Sequence, residues 1–223
     1  MSLELKKRII TSLFLLTLLF LMFSYSFIMI ISSIVIGLIS WIEFYALISK
    51  IVKKDDVKSQ ILRFLYKSFS LFYLSILVFL VISIKLISLN LYFVLIYSLL
   101  VAIMSDIGGL VVGKIFKGKK LSKISPNKTL SGSLGSFIFS LFLVPFFLEY
   151  FNDYNILIII LFTLTISFAS QLGDLFISLL KRKAKVKDTS DILPGHGGIL
   201  DRIDGIIFAI PVGLLIFSIW KKK

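Results

Sequence analysis

Between Ser178 and Asp204 the chain reads SLLKRKAKVKDTSDILPGHGGILDRID. Cations, four carboxylates and the only histidine crowd into this run. Polar chemistry gathered in this way at one edge of an apolar chain suits a phosphate-bearing substrate. Asp201 and Asp204 stand three residues apart where a helix should open, so both can point to one side and bind a hard cation. Magnesium suits such a pair, because it keeps several waters and usually takes one or two carboxylates plus substrate phosphates. The chain has no cysteine and no HExxH motif, so nothing favours zinc. Gly195, Gly197 and Gly198 surround His196, and glycines there permit a tight turn whose N–H groups can face an anion. His196 itself has two readings: a hydrogen-bond partner or proton donor to phosphate, or a purely structural histidine.

A second group lies upstream. At 100° per residue Thr163, Ser167, Gln171, Asp174, Ser178 and Lys181 share one stripe of an otherwise apolar helix, with Ser170 beside it. Such a line must face protein or a water-filled cavity. Asp174 falls about 10 Å along the axis from Lys181, below the membrane edge. It is either a functional intramembrane acid or a structural aspartate paired with a lysine of a neighbouring helix. Asp106 precedes Gly108-Gly109 near another helix end, where a ligand contact and a helix-end salt bridge are equal alternatives. In Ser125-Pro126-Asn127-Lys128-Thr129 the proline stiffens a turn, and Lys128 and Thr129 offer a charge and a hydroxyl beside a helix N-terminus. Phosphate contact is favoured there, with helix capping as the other reading.

The elements that must position these groups are membrane spans. Of 223 residues 58% are hydrophobic, mean hydropathy is +1.02, and the apolar residues come in long blocks. A soluble fold could not bury so much apolar surface. Spans are expected at Ile9–Phe23, Phe27–Ile48, Ser68–Ile84, Leu89–Val112, Ser133–Phe151, Ile156–Leu180 and Ile206–Trp220. The first, third and last are short for a span, and the first two could form one hairpin broken at Ser24-Tyr25-Ser26. No small-residue cleavage pattern follows Phe23, so the first span should be retained rather than removed as a signal peptide. The net charge of +13 belongs to loops and lipid headgroups rather than to nucleic acid, since no aqueous segment is long enough to form a binding domain. Lys6–Arg8 and the basic loops Lys50–Lys67, Lys114–Lys128 and Lys181–Arg202 fall on one side, which the positive-inside rule makes cytoplasmic. Lys221–Lys223 would then lie outside, against that rule. The expected architecture is an all-α polytopic helical bundle, one domain over residues 1–223 with its signature at 170–205. The small-residue faces Gly109-xxx-Gly113, Gly132-xxx-Ser136-xxx-Ser140 and Ala209-xxx-Gly213 suit close helix packing and offer a contact for a homodimer. Pro211 should kink the last span.

The pattern Ser178, Lys181, Arg182, Lys187, Asp188, Leu193, Pro194, His196, Gly197, Gly198, Asp201, Arg202, Asp204 resembles the signature of the phosphatidate cytidylyltransferases, the CDP-diacylglycerol synthases. The likeness extends upstream to Gly173-Asp174-Leu175, Asp106 and Ser125–Thr129, covering about the C-terminal half. The resemblance implies attack of phosphatidic acid on the α-phosphorus of CTP, on the cytoplasmic side of the inner membrane. It also implies magnesium on Asp174 and Asp201, with a second cation such as potassium. Lys128, Lys181, Arg182, Lys187 and Arg202 would neutralise triphosphate and lipid phosphate. Two positions depart from the family: Ile177 stands where a glutamate is usual, and Leu130-Ser131-Gly132 where a Trp-Glu-Gly-like run is usual. The alternatives are a CTP-dependent lipid-alcohol kinase and a non-catalytic lipid-binding or transport protein.

Overall fold

The computed structural model describes residues 3–53, 56–87, 89–121, 125 and 128–220. Among them every regular element is a helix. Seven helical stretches are long and apolar enough to cross a membrane, from Glu4–Ser24 to Leu200–Trp220. The chain is a multi-pass integral membrane protein of the all-α class. Its residues group into two compact units, Met1–Ile87 with Leu180–Ile203, and Ser88–Leu179 with Asp204–Lys223.

The first unit contains α1 (Leu3–Ser24), α2 (Ser26–Ile51) and α3 (Val57–Ile87). Tyr25 alone separates α1 from α2; it is extended, at φ −123° and ψ 116°. Each of the two is therefore a full span. The third helix is longer than the sequence suggested. Lys58, Arg63 and Lys67 ride on its first turns instead of lying in a loop, because Val57, Ile61, Phe64 and Leu65 carry the apolar helical period among them. Lys67 is tied down: its carbonyl accepts from Trp41 Nε1 at 3.2 Å, and its ammonium lies 3.4 Å from the centre of the Tyr45 ring. Lys85 caps α1 by donating to the Phe23 carbonyl at 3.0 Å.

The second unit holds α4 (Leu89–Phe116), α5 (Leu130–Leu141), α6 (Val144–Phe147), a 3-10 turn at Leu148–Phe151, most of α7 (Ile156–Lys183), and α9 (Ile206–Trp220). The short α8 (Leu200–Ile203) belongs to the first unit. The fifth span is broken rather than continuous: Pro145 at the start of α6 lacks the N–H that would prolong α5. Pro211 lies inside α9, which runs on through it. The small residues are used within the chain. At the α4–α5 crossing a Cβ added to Gly108 would stand 2.6 Å from Phe139 Cβ. Ser136 Oγ donates across the same crossing to the Ser105 carbonyl at 2.7 Å. Gly213 of α9 packs on Ser98 of α4. Close approach of this kind replaces the hydrophobic drive that lipid cannot supply. Around Tyr97 the rings of Phe147, Phe151 and Phe162 gather with centroids 4.8–5.9 Å from its own, and Trp220 lies tilted against Phe162 at 4.9 Å.

Candidate active site

In the first unit, α7 ends at Lys183 because Lys185 turns left-handed, at φ 58°. The chain then runs through 184–199 to α8. Gly195 and Gly197 both have positive φ, 77° and 83°, and close a turn in which Leu193 N donates to the Gly197 carbonyl at 2.8 Å. Asp201, at the head of α8, is folded back under that turn. Its Oδ2 accepts from the Thr189 N–H at 2.8 Å and the Gly198 N–H at 3.0 Å, while Oδ1 receives the Lys181 ammonium at 2.5 Å. The pair is enclosed, with side chains 14% and 4% exposed for Lys181 and Asp201. The glycine amides that could have faced an anion are thus spent internally, Gly198 on Asp201 and Gly197 on the Leu193 carbonyl. Arg202 is also engaged, donating twice to the His196 carbonyl, at 2.6 and 3.1 Å. His196 Nε2 lies 3.2 Å from Ser12 Oγ of α1, and its Nδ1 is buried without a hydrogen-bond partner among the described residues. Arg182, Lys187 and Asp188 are exposed.

In the second unit the polar stripe of α7 has partners along its length. Thr163 Oγ1 meets Tyr97 Oη at 2.5 Å, Ser167 donates to Ser105 at 3.1 Å, and Gln171 accepts from Ser133 at 2.5 Å. Gln171 Nε2 and Ser170 Oγ are buried and unpartnered among the described residues. The stripe ends at Asp174, which forms an ion pair with Lys128. Both side chains keep about a quarter of their surface in contact with solvent, 27% and 25%. Ser178 adds only a long contact, 3.4 Å, to Asp174 Oδ1. Lys128 is presented by a turn in which Leu121 N donates to its carbonyl at 2.8 Å. Thr129 caps α5, its hydroxyl accepting from Gly132 N at 3.0 Å. Ser125 is buried and Asp106 is exposed on α4. Asp204 is buried, with Oδ1 accepting from Gly205 N at 2.9 Å. Lys123, Pro126, Asn127 and Lys221–Lys223 lie outside the described residues.

The two departures from the expected signature have structural roles. Ile177 is 1% exposed, a packing position where a carboxylate would lose its water. Ser131 donates to the Lys117 carbonyl and meets Thr129 Oγ1 at 3.0 Å. Sequence reasoning missed Glu43, Thr189 and Ser190, which surround Asp201 and its loop. A lone carboxylate inside the apolar second span was the available signal.

As possible ligands for a cation, Asp174 keeps about a quarter of its side chain exposed and, among the described residues, pairs with one lysine, while Asp201 Oδ1 accepts only Lys181 among them. Each retains a hard oxygen lone pair of the kind magnesium takes. Among the described residues no three His, Asp or Glu side chains form a ready cage. A divalent ion at either carboxylate would depend on substrate phosphates to complete its shell.

The profile of the cytidylyltransferase family matches residues 3–220. The chain is 44% identical to the phosphatidate cytidylyltransferase of Staphylococcus haemolyticus (strain JCSC1435) over 121 residues, which is 53% of this chain and 46% of the relative. It is 45% identical to that of Staphylococcus aureus (strain COL) and 42% to that of Staphylococcus saprophyticus, with the same coverage. The matched stretch spans about half the length of these curated relatives. With nearly its whole length matched and the polar run in place, the chain belongs to the cytidylyltransferase family.

Proposed function

We propose that the protein transfers the cytidylyl group of CTP to phosphatidic acid, releasing pyrophosphate and leaving CDP-diacylglycerol in the membrane. A phosphate oxygen of the lipid forms a bond to the α-phosphorus of CTP. The bond from that phosphorus to the α–β bridging oxygen breaks, and pyrophosphate departs with the electron pair. The nucleophile is already an anion at neutral pH, so no strong base is needed. The obstacle is repulsion between two polyanions, and phosphoryl transfer relies on positioning and charge to overcome it. Arg182 and Lys187 are exposed cations available to phosphate, and Lys128 and Lys181 each stand against a carboxylate. Magnesium would supply divalent charge to the triphosphate, and Asp174 and Asp201, each within its own unit, are carboxylates of the kind that take it. Nδ1 of His196, without a hydrogen-bond partner among the described residues, would donate to a phosphate oxygen once that oxygen reaches it. The positive-inside rule assigns the basic loops, and with them this chemistry, to the cytoplasmic side.

The observation that carries this reading is the family match together with the enclosed Lys181–Asp201 pair in the 178–204 run. The test is purified full-length protein with CTP, dioleoyl phosphatidic acid and magnesium. Pyrophosphate and a CDP-lipid should appear together. Release of CDP with a newly phosphorylated lipid alcohol would identify a kinase instead, and no turnover of CTP at all would reject an enzyme.

A further inference from the structure

Glu43 sits in the C-terminal half of α2, 2% exposed, on a helix whose only other charged residue is Lys50 in the last turn. A carboxylate buried there is costly unless fully hydrogen-bonded. Four donors satisfy it. Oε1 accepts from Ser190 Oγ at 2.6 Å and the Ile199 N–H at 3.0 Å; Oε2 accepts from Thr189 Oγ1 and the Leu200 N–H, each at 2.8 Å. None of the four is a cation, and all come from the segment that carries the Gly-rich turn, two before it and two after. One side chain therefore ties both ends of that segment to α2. Gly198 is part of the fit, since a Cβ there would stand 2.6 Å from Glu43 Oε2.

The link continues to Asp201. Thr189 Oγ1 is 2.8 Å from Glu43 Oε2 and 2.9 Å from Asp201 Oδ2. A hydroxyl has one proton to give, so the two carboxylates share a single donor. Thr189 also gives its N–H to Asp201 Oδ2, whose other oxygen holds Lys181. The order Glu43, Thr189, Asp201, Lys181 is a continuous set of contacts, all inside the first unit.

We propose that Glu43 is a positioning residue for the transfer reaction, acting through Thr189 to fix the Asp201 carboxylate and the Lys181 ammonium. This rests on the function proposed above. Glu43 does not touch substrate; it sets where two charged groups stand when phosphate arrives.

The experiment uses full-length protein in detergent, with CTP, dioleoyl phosphatidic acid and magnesium, and follows pyrophosphate release. Glu43→Gln puts an amide N–H against donors, and should lower kcat at least about tenfold while KM for CTP and lipid stays within about threefold. Thr189→Val should behave likewise, Thr189→Ser should keep kcat within about threefold, and Glu43→Gln with Thr189→Val together should be little worse than the stronger single change. Amide hydrogen exchange over 189–201 should speed up in Glu43→Gln but stay unchanged in α4 and α5. A wild-type kcat in Glu43→Gln overturns the proposal. So do equal losses from Thr189→Ser and Thr189→Val, or multiplying effects in the double variant. If Glu43→Gln does not fold, the Val and Ser variants at Thr189 decide alone. Inert wild-type protein would sink the function itself, an outcome distinct from an active wild type with an indifferent Glu43.

Discussion

Asp201 and Asp174 are both carboxylates beside a lysine, yet the two units treat them in opposite ways. Asp201 is 4% exposed and held on both oxygens: an ammonium, two backbone amides and a share of the Thr189 hydroxyl reach it. Asp174 is 27% exposed and has one lysine and a distant serine. An enclosed ion pair is part of the architecture, because removing either partner leaves an uncompensated charge. A half-open pair contributes little to stability, and its lysine can exchange one anionic partner for another at small cost. The comparison separates a carboxylate that also shapes the loop from one held by few partners.

The strongest way to break this contrast is Asp201→Asn. The amide nitrogen would face the Thr189 and Gly198 N–H groups, and Lys181 would lose its counter-charge. Stability should fall by about 3 kcal/mol or more, as for other broken buried pairs. Chemical denaturation in mixed micelles measures that, and turnover should fall about a thousandfold alongside. Asp174→Asn should divide the two readouts. Its exposure limits the stability loss to below about 1 kcal/mol, while pyrophosphate release falls on the order of a hundredfold. A folded, fully active Asp174→Asn would reduce Asp174 to a surface ion pair.

Much of this was legible in the residues. Long apolar blocks can only be spans, and the stripe from Thr163 to Asp174 had to find polar partners, which it does on Tyr97, Ser105 and Ser133. Span ends were less legible. Lys58, Arg63 and Lys67 read as a loop by charge, but Trp41 and Tyr45 hold Lys67 on the helix through contacts 22 and more residues away in sequence, which no local pattern records. The amides of Gly197 and Gly198 looked available to an anion because glycine makes them accessible, yet Asp201 and the Leu193 carbonyl claim them first. Glu43 was hidden differently. Its partners lie 146 to 157 residues further along, so only the three-dimensional fold reveals why an acid sits in that helix.

The mildest test concerns a polar contact with no place in the chemistry. Tyr97 is fully buried in the second unit, its ring between Phe147, Phe151 and Phe162 and its hydroxyl 2.5 Å from Thr163 Oγ1. Tyr97→Phe keeps the ring packing and removes one hydrogen bond. Thr163 is not stranded, because its hydroxyl can still donate to the Ile159 carbonyl at 2.8 Å. The expected cost is therefore about 1 kcal/mol, the net value of a neutral bond rather than the penalty of an orphaned group. Turnover per folded molecule should stay at the wild-type level. If kcat drops while stability does not, polar residues deep on the α7 stripe influence Asp174 along the helix, and the second unit is no longer a passive support for its half-open carboxylate.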